Sequence, residues 1–172
     1  MNTELTTHLD TPLGTITLTA SEHGLTHCLI NHSGQSDTAE PGEDKETAER
    51  ARHWLDRAGR ELTEYFAGDR TEFTVPVDHG TTSEFGRAVA TALAEHVPYG
   101  STVSYGQLTK LLDRPPVDAR KVGAALGRNQ LLIVVPCHRV LGADGSLTGF
   151  AAGLPAKRHL LDLESSDNLL PL

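Results

Sequence analysis

The sequence predicts an α+β protein in two parts: a small N-terminal α/β domain over residues 1–80 and a helical C-terminal domain over residues 83–165. Three observations lead there. Residues 4–30 contain short runs in which apolar residues alternate with Thr, the period of half-buried strands. Residues 47–66 and 83–97 instead repeat apolar residues three or four apart, as amphipathic helices do. Between these two helices the segment "DHGTT" breaks the pattern, so the boundary is placed near residues 78–82.

Taken in order, "LTTHLD" (4–9 region) and "LGTITLTA" (13–20) flank Thr11 and Pro12 and predict a hairpin, and "LTHCLI" (25–30) predicts a third strand. Residues 31–46 are polar and aperiodic, which predicts an exposed acidic loop. Ala51, Trp54, Leu55, Leu62, Tyr65 and Phe66 then share one helical face that Gly68 ends. A short strand, "FTVPV", closes this half. In the second half Ser83 is a good N-cap for a helix carrying Phe85, Val89, Leu93 and Val97, stopped by Pro98 and Gly100. Val103, Leu108, Leu111 and Leu112 form a second helix with Ser104 as cap, "DRPP" a turn, and "VDARKVGAALGR" a third helix. Two short helices on a tight turn, the second with Arg120, Lys121 and Arg128, make a helix-turn-helix pattern. An apolar strand into Pro136, a Gly-rich loop, a last helix from Pro155 and a frayed tail over 166–172 complete the chain.

The 172 residues suffice for one ordinary domain or two small ones, and no apolar window approaches a membrane span. The N-terminus resembles no signal peptide, so a cytoplasmic protein is expected, with Cys28 and Cys137 as free thiols. The net charge of −8 argues against a general nucleic-acid binder, yet it is uneven. Residues 1–80 hold 15 acidic against 6 basic side chains, whereas residues 100–145 hold 6 basic against 3 acidic ones. The basic segment could meet phosphates; a plain solvated surface is the alternative.

The chemistry concentrates at "LLIVVPCHRVLG" (131–142), where Cys137 and His138 follow a buried apolar run. A thiol reacts as thiolate, so it needs a base or cation, and an imidazole base needs a partner such as Glu164 to fix its tautomer. Strand neighbours diverge, so a bridging water would have to connect Cys137 to His138. By itself the pair equally fits a small buried Cys and a satisfied core His. Structural zinc is disfavoured, with two cysteines and no Cys-x-x-Cys spacing.

"VPCHRV" (135–140), "VPYGSTVSYGQL", "ARKVGAALGRN", "VPCHRVLGADGSLTG" and "LLDLE" together resemble the O6-alkylguanine-DNA alkyltransferases, in register over residues 83–165; the front half resembles the family only in strand order and "YFAG" (65–68). The resemblance implies a ribonuclease-H-like N-terminal domain and a winged helix-turn-helix-like C-terminal one. It further implies irreversible transfer of an alkyl group from O6-alkylguanine in double-stranded DNA to Cys137, once per molecule, O4-alkylthymine being a further candidate substrate. His138 would act as base through a water, Glu164 would orient it, Tyr105 would donate to the departing guanine and Asn129 would hold the turn before the reactive residue. Arg120 would enter the base stack in the minor groove, on a DNA-facing surface with Ala119, Lys121, Gly123, Ala124, Arg128 and Arg139. Pro136, Val140, Phe150, Ala151 and Ala152 would line the base and alkyl pocket. No cofactor and no metal are expected, since the metal-ligand positions of some relatives hold Ser21 and Thr26; no methylphosphotriester-sensing domain is expected either. A monomer in solution is expected, with cooperativity on DNA left open.

This chain departs from the family pattern at Phe150 (commonly Tyr), at Ala151 and Ala152 (small polar or Gly), at Gln130 (Pro) and at Ala90 (Trp). The loop changes bear on alkyl size and lesion affinity. Three competing readings are a lesion sensor that flips alkylated bases without transfer, a helix-turn-helix regulator, and a cysteine hydrolase. Cys137 counts against the first, and the Gly- and Ala-rich "VGAALG" against the second; the third would turn over on small esters.

Overall fold

The computed structural model describes residues 3–31, 44–80, 82–112 and 118–166, and the chain divides into two compact units, Met1–Gly80 and Thr81–Leu172. Most of the loop expected at 31–46, the "DRPP" turn and the tail from residue 167 lie outside the described residues.

In the first unit, β1 (Leu5–Thr11), β2 (Gly14–Ser21) and β3 (Gly24–Asn31) form an antiparallel sheet in the order β1-β2-β3. Ile16, Leu18 and Ala20 are fully buried, while the threonines between them turn to the other face. α1 (Lys45–Phe66) starts two residues before the expected position because Asp44 caps it, accepting the Glu46 amide at 3.1 Å and the Thr47 hydroxyl at 2.7 Å. Its buried residues Ala51, Leu55, Ala58, Leu62 and Tyr65 form one stripe, and the helix packs on the sheet.

The strand expected at "FTVPV" is absent. Only Val77 makes a bridge, to Leu25. The physical reason is that Pro76 has no N–H to donate and the amides of Thr74 and Val75 are already taken by the buried Glu61 carboxylate, at 2.7 and 2.9 Å. Gly24 lies against this segment so closely that a Cβ there would come within 2.5 Å of the Pro76 carbonyl.

In the second unit, Ser83 caps α2 (Glu84–His96) through the Gly86 amide at 3.0 Å, and Val89, Ala92 and Leu93 are its buried face. Val103 belongs to a two-residue strand, β4 (Val103–Ser104), rather than to the helix expected there. α3 (Tyr105–Leu111) begins with a capping box between Ser104 and Gln107, and α4 (Ala119–Gly127) with Asp118 accepting the Arg120 amide at 2.9 Å. α2, α3 and α4 pack on one another.

Residues 131–135 are not a strand. They form a tight turn, followed by a single 3-10 turn at Cys137–Arg139, then β5 (Val140–Leu141), which pairs in parallel with β4, and α5 (Leu154–Ser166). No helix among the described residues is long and apolar enough to cross a membrane.

Candidate active site

Two γ-turns deliver Cys137. In the first, the Val134 amide donates to the Leu132 carbonyl at 2.8 Å around Ile133, whose φ is +72°. That conformation is strained for a β-branched residue, and Ile133 is 1% exposed, so packing must hold it there. In the second, the Cys137 amide donates to the Val135 carbonyl at 2.8 Å around Pro136, whose ring supplies a compatible φ of −80°.

Asn129 clamps the whole turn. Its Oδ1 accepts the Leu131 amide at 2.9 Å, and its Nδ2 donates to the Val135 carbonyl at 3.3 Å and to Cys137 Sγ at 3.2 Å. One side chain therefore holds both ends of the turn and touches the thiol.

Cys137 is 7% exposed. Burial pushes its thiol pKa up; the Asn129 hydrogen bond and the Lys157 charge oppose this without overcoming it. The thiol is protonated at rest and needs a base. Cys28 is buried in the middle of β3 with its thiol pushed up to about 12 by burial alone, as for a core residue.

The imidazole beside Cys137 is defined by what holds it. His138 Nε2 lies 2.7 Å from Glu164 Oε1, both groups being buried. Burial drives the Glu164 carboxyl up, but hydrogen bonds and charge from His138 and Arg139 outweigh it and pull the carboxyl down to about 2. An ionised carboxylate only accepts, so Nε2 carries the proton and Nδ1 keeps its lone pair. Burial holds the imidazole pKa below its ordinary value despite Glu164, which keeps the ring neutral. His138 Nδ1 is also the one buried side-chain N or O without a hydrogen-bond partner among the described residues.

Arg139 corrects an expectation. Its guanidinium does not face DNA: Nε and Nη2 fork onto Glu164 at 2.9 and 2.8 Å, and Nη1 donates to the Val97 carbonyl at 2.8 Å, with the Tyr99 ring 5.9 Å away. A buried, bidentate arginine cannot reach a phosphate; this one neutralises Glu164.

The structure adds Lys157. Fully buried, its Nζ donates to the carbonyls of Val140 at 2.6 Å, Thr148 at 2.7 Å and Gly149 at 3.4 Å, and its charge acts on Cys137. It ties the Gly-rich loop to α5. Its spacing from Leu160 and Glu164 on one face of α5 was the available sequence signal.

Tyr105, the first residue of α3, is half-buried and meets Thr148, whose hydroxyl donates to Tyr105 Oη at 3.2 Å. Gly123 on α4 faces that ring: a Cβ there would sit 3.8 Å from it. Arg120, Lys121 and Ala124 are exposed on α4 and Arg128 at its C-cap, with Ala119 and Gly123 half-buried. Pro136 and Val140 are buried, whereas Phe150 and Ala152 are half-buried and Ala151 exposed on the loop that Lys157 holds. Ser21 donates to Asp78 at 2.6 Å and Thr26 to the Thr19 carbonyl at 3.1 Å.

Comparison with known proteins follows the same division. Residues 5–79 match the family described as 6-O-methylguanine DNA methyltransferase, ribonuclease-like domain, and residues 84–166 the 6-O-methylguanine DNA methyltransferase, DNA binding domain. The chain is 50% identical over 104 residues to the inducible methylated-DNA–protein-cysteine methyltransferase of Bacillus subtilis, a match spanning 60% of this chain and 56% of that protein. It is 41% identical over 158 residues to the methylated-DNA–protein-cysteine methyltransferase of Methanosarcina acetivorans, covering 91% of this chain and 96% of that one. The crystal structure of Mycobacterium tuberculosis OGT in complex with DNA superposes with a TM-score of 0.76 at 38% identity, over 93% of this chain and 92% of that one.

Proposed function

The chain belongs to the 6-O-methylguanine DNA methyltransferase family and repairs DNA by moving an alkyl group onto a cysteine of its own, and from that premise we propose that the acceptor is Cys137, that His138 is its base and that the substrate is O6-alkylguanine in a duplex. The observation that carries the assignment is the lone pair of buried His138 Nδ1, left free one residue from a protonated thiol while Glu164 holds the opposite nitrogen. Cys28 is completely buried in the other unit with its thiol pushed up to about 12, which counts against it as the acceptor.

A water bridging Nδ1 and Sγ takes the thiol proton to the imidazole, and Asn129 Nδ2 steadies the thiolate. Sulfur attacks the alkyl carbon; the S–C bond forms as the C–O6 bond breaks, and its electron pair returns to the guanine. Tyr105 gives the departing ring a hydrogen bond or proton at N3. The product thioether has no acyl carbon for water to attack, so each molecule acts once. No cofactor enters the scheme.

The alkyl carbon is unreachable inside a stacked duplex, so the base must be flipped out. α4 presents Arg120, Lys121 and Arg128 to solvent, where Arg120 fills the vacated stack and the other two meet phosphates. Every residue given a role lies in the second unit, so one copy of the chain suffices.

The test is intact-protein mass after mixing with duplex DNA carrying O6-methylguanine, alongside Cys137→Ser. The wild type should gain one methyl and stop at one equivalent; the variant should gain none. Tight lesion binding with no mass gain would support a sensor instead, and would point first to the Phe150–Ala152 loop.

A further inference from the structure

Three contacts meet at Thr148, an exposed residue on the loop between β5 and α5. Its hydroxyl donates to Tyr105 Oη at 3.2 Å. Its carbonyl accepts Lys157 Nζ at 2.7 Å and lies 3.5 Å from Tyr105 Oη. Lys157 is fully buried and also grips the carbonyls on either side of the loop, Val140 at 2.6 Å and Gly149 at 3.4 Å. The ammonium therefore sets where the Thr148 peptide lies, and Thr148 sets where the phenol lies.

The direction of these bonds matters. A phenol oxygen both accepts and donates. Here its acceptor side is used by the Thr148 hydroxyl. Its own proton faces only a carbonyl at the outer limit of hydrogen bonding, one already engaged by an ammonium. The phenolic proton is thus held only by this long bond, and a donor stands ready for any negative charge left on Oη.

We propose that Thr148 is a positioning residue for alkyl transfer: its hydroxyl orients Tyr105 Oη and stabilises the charge that develops there as the departing guanine draws the phenolic proton, with Lys157 holding Thr148 in place. The proposal rests on the reading of Tyr105 as donor to the leaving group. Through the step Thr148 keeps its own proton. Tyr105 yields its proton towards the guanine ring as the C–O6 electron pair moves there, and solvent restores it at the half-buried phenol afterwards.

The test is single-turnover methyl transfer as a function of duplex concentration for wild type, Thr148→Val, Thr148→Ser, Tyr105→Phe and the Thr148→Val/Tyr105→Phe double variant. Valine keeps the shape and the carbonyl and removes the hydroxyl; at an exposed site it disturbs no core packing. Thr148→Val should lower the limiting rate about tenfold, the scale of one hydrogen bond, and leave the half-saturating DNA concentration unchanged. Thr148→Ser should restore the rate, and the double variant should be no slower than Tyr105→Phe. A wild-type rate in Thr148→Val beside a slowed Tyr105→Phe would overturn the role of Thr148 alone. So would a serine that fails to rescue, or a double variant slowed by the product of the two single effects. A wild-type rate in Tyr105→Phe would remove the leaving-group reading and the proposal together.

Discussion

A carboxylate that is 1% exposed is held ionised only by its partners, and His138 and Arg139 both pair with Glu164. Its pKa near 2, against an ordinary 4.5, amounts to a stabilisation of order 3 kcal/mol. The folded pKa is depressed, so this contribution is complete above pH 4.5 and disappears as pH falls towards about 2. The proposed base follows a related rule. His138 must be neutral, and burial keeps its pKa below 6.5, so transfer should persist on the acid side of that value and fail only when the ring charges. Glu164→Gln removes the charge that raises the imidazole pKa. We predict a plateau rate about tenfold lower, with the acid limb displaced to lower pH. Single-turnover rates across the pH range would check this, and a limb displaced upward would contradict it.

At the scale of elements, the turn at 131–137 and helix α4 do different work. The turn holds Sγ through Asn129, which satisfies backbone groups at both of its ends. Asn129→Ala should cost about 1–3 kcal/mol in urea denaturation, the cost of leaving those groups unpaired. Asn129→Asp keeps the acceptor for the Leu131 amide but sets a carboxylate where Nδ2 now donates to Sγ. It should slow alkylation of Cys137 by a small thiol reagent more than Asn129→Ala does, because a negative neighbour disfavours the thiolate. In the proposed scheme α4 acts on DNA rather than on sulfur. Arg120→Ala should weaken repair of duplex DNA and spare reaction with a free-base analogue; equal losses on both would refute its stacking role. The turn was illegible in the sequence because β-branched "LLIVV" has strand propensity, and only tertiary packing holds Ile133 at positive φ. Helices α2 and α3 were legible because their caps are local: Ser83 and Ser104 each sit three residues before the amide they satisfy.

For the molecule as a whole, the first unit has its own core and its own buried charge. Glu61, 1% exposed, accepts the Thr74 and Val75 amides and the Thr74 hydroxyl, replacing a strand ladder with one carboxylate. Glu61→Ala should destabilise the protein by about 3 kcal/mol, since three donors lose their acceptor. Methyl transfer by the molecules that remain folded should be unchanged, as every proposed reactive residue belongs to the other unit. Denaturation curves read beside stoichiometric transfer would test both halves of this statement. A slowed transfer would show that the first unit contributes to the chemistry.

By itself the sequence determined the α+β class, the hairpin and third strand, the helices with the caps Ser83 and Ser104, and the ordered motif around Cys137, because each is written in near-neighbour spacing and local hydrogen bonding. Tertiary structure alone decided that Arg139 faces inward to Glu164, that Lys157 is buried against three carbonyls, that "FTVPV" is no strand, and that His138 leaves Nδ1 free. Those outcomes depend on which charge finds which partner once water is excluded. Partners 8 to 26 residues apart leave no periodic trace along the chain.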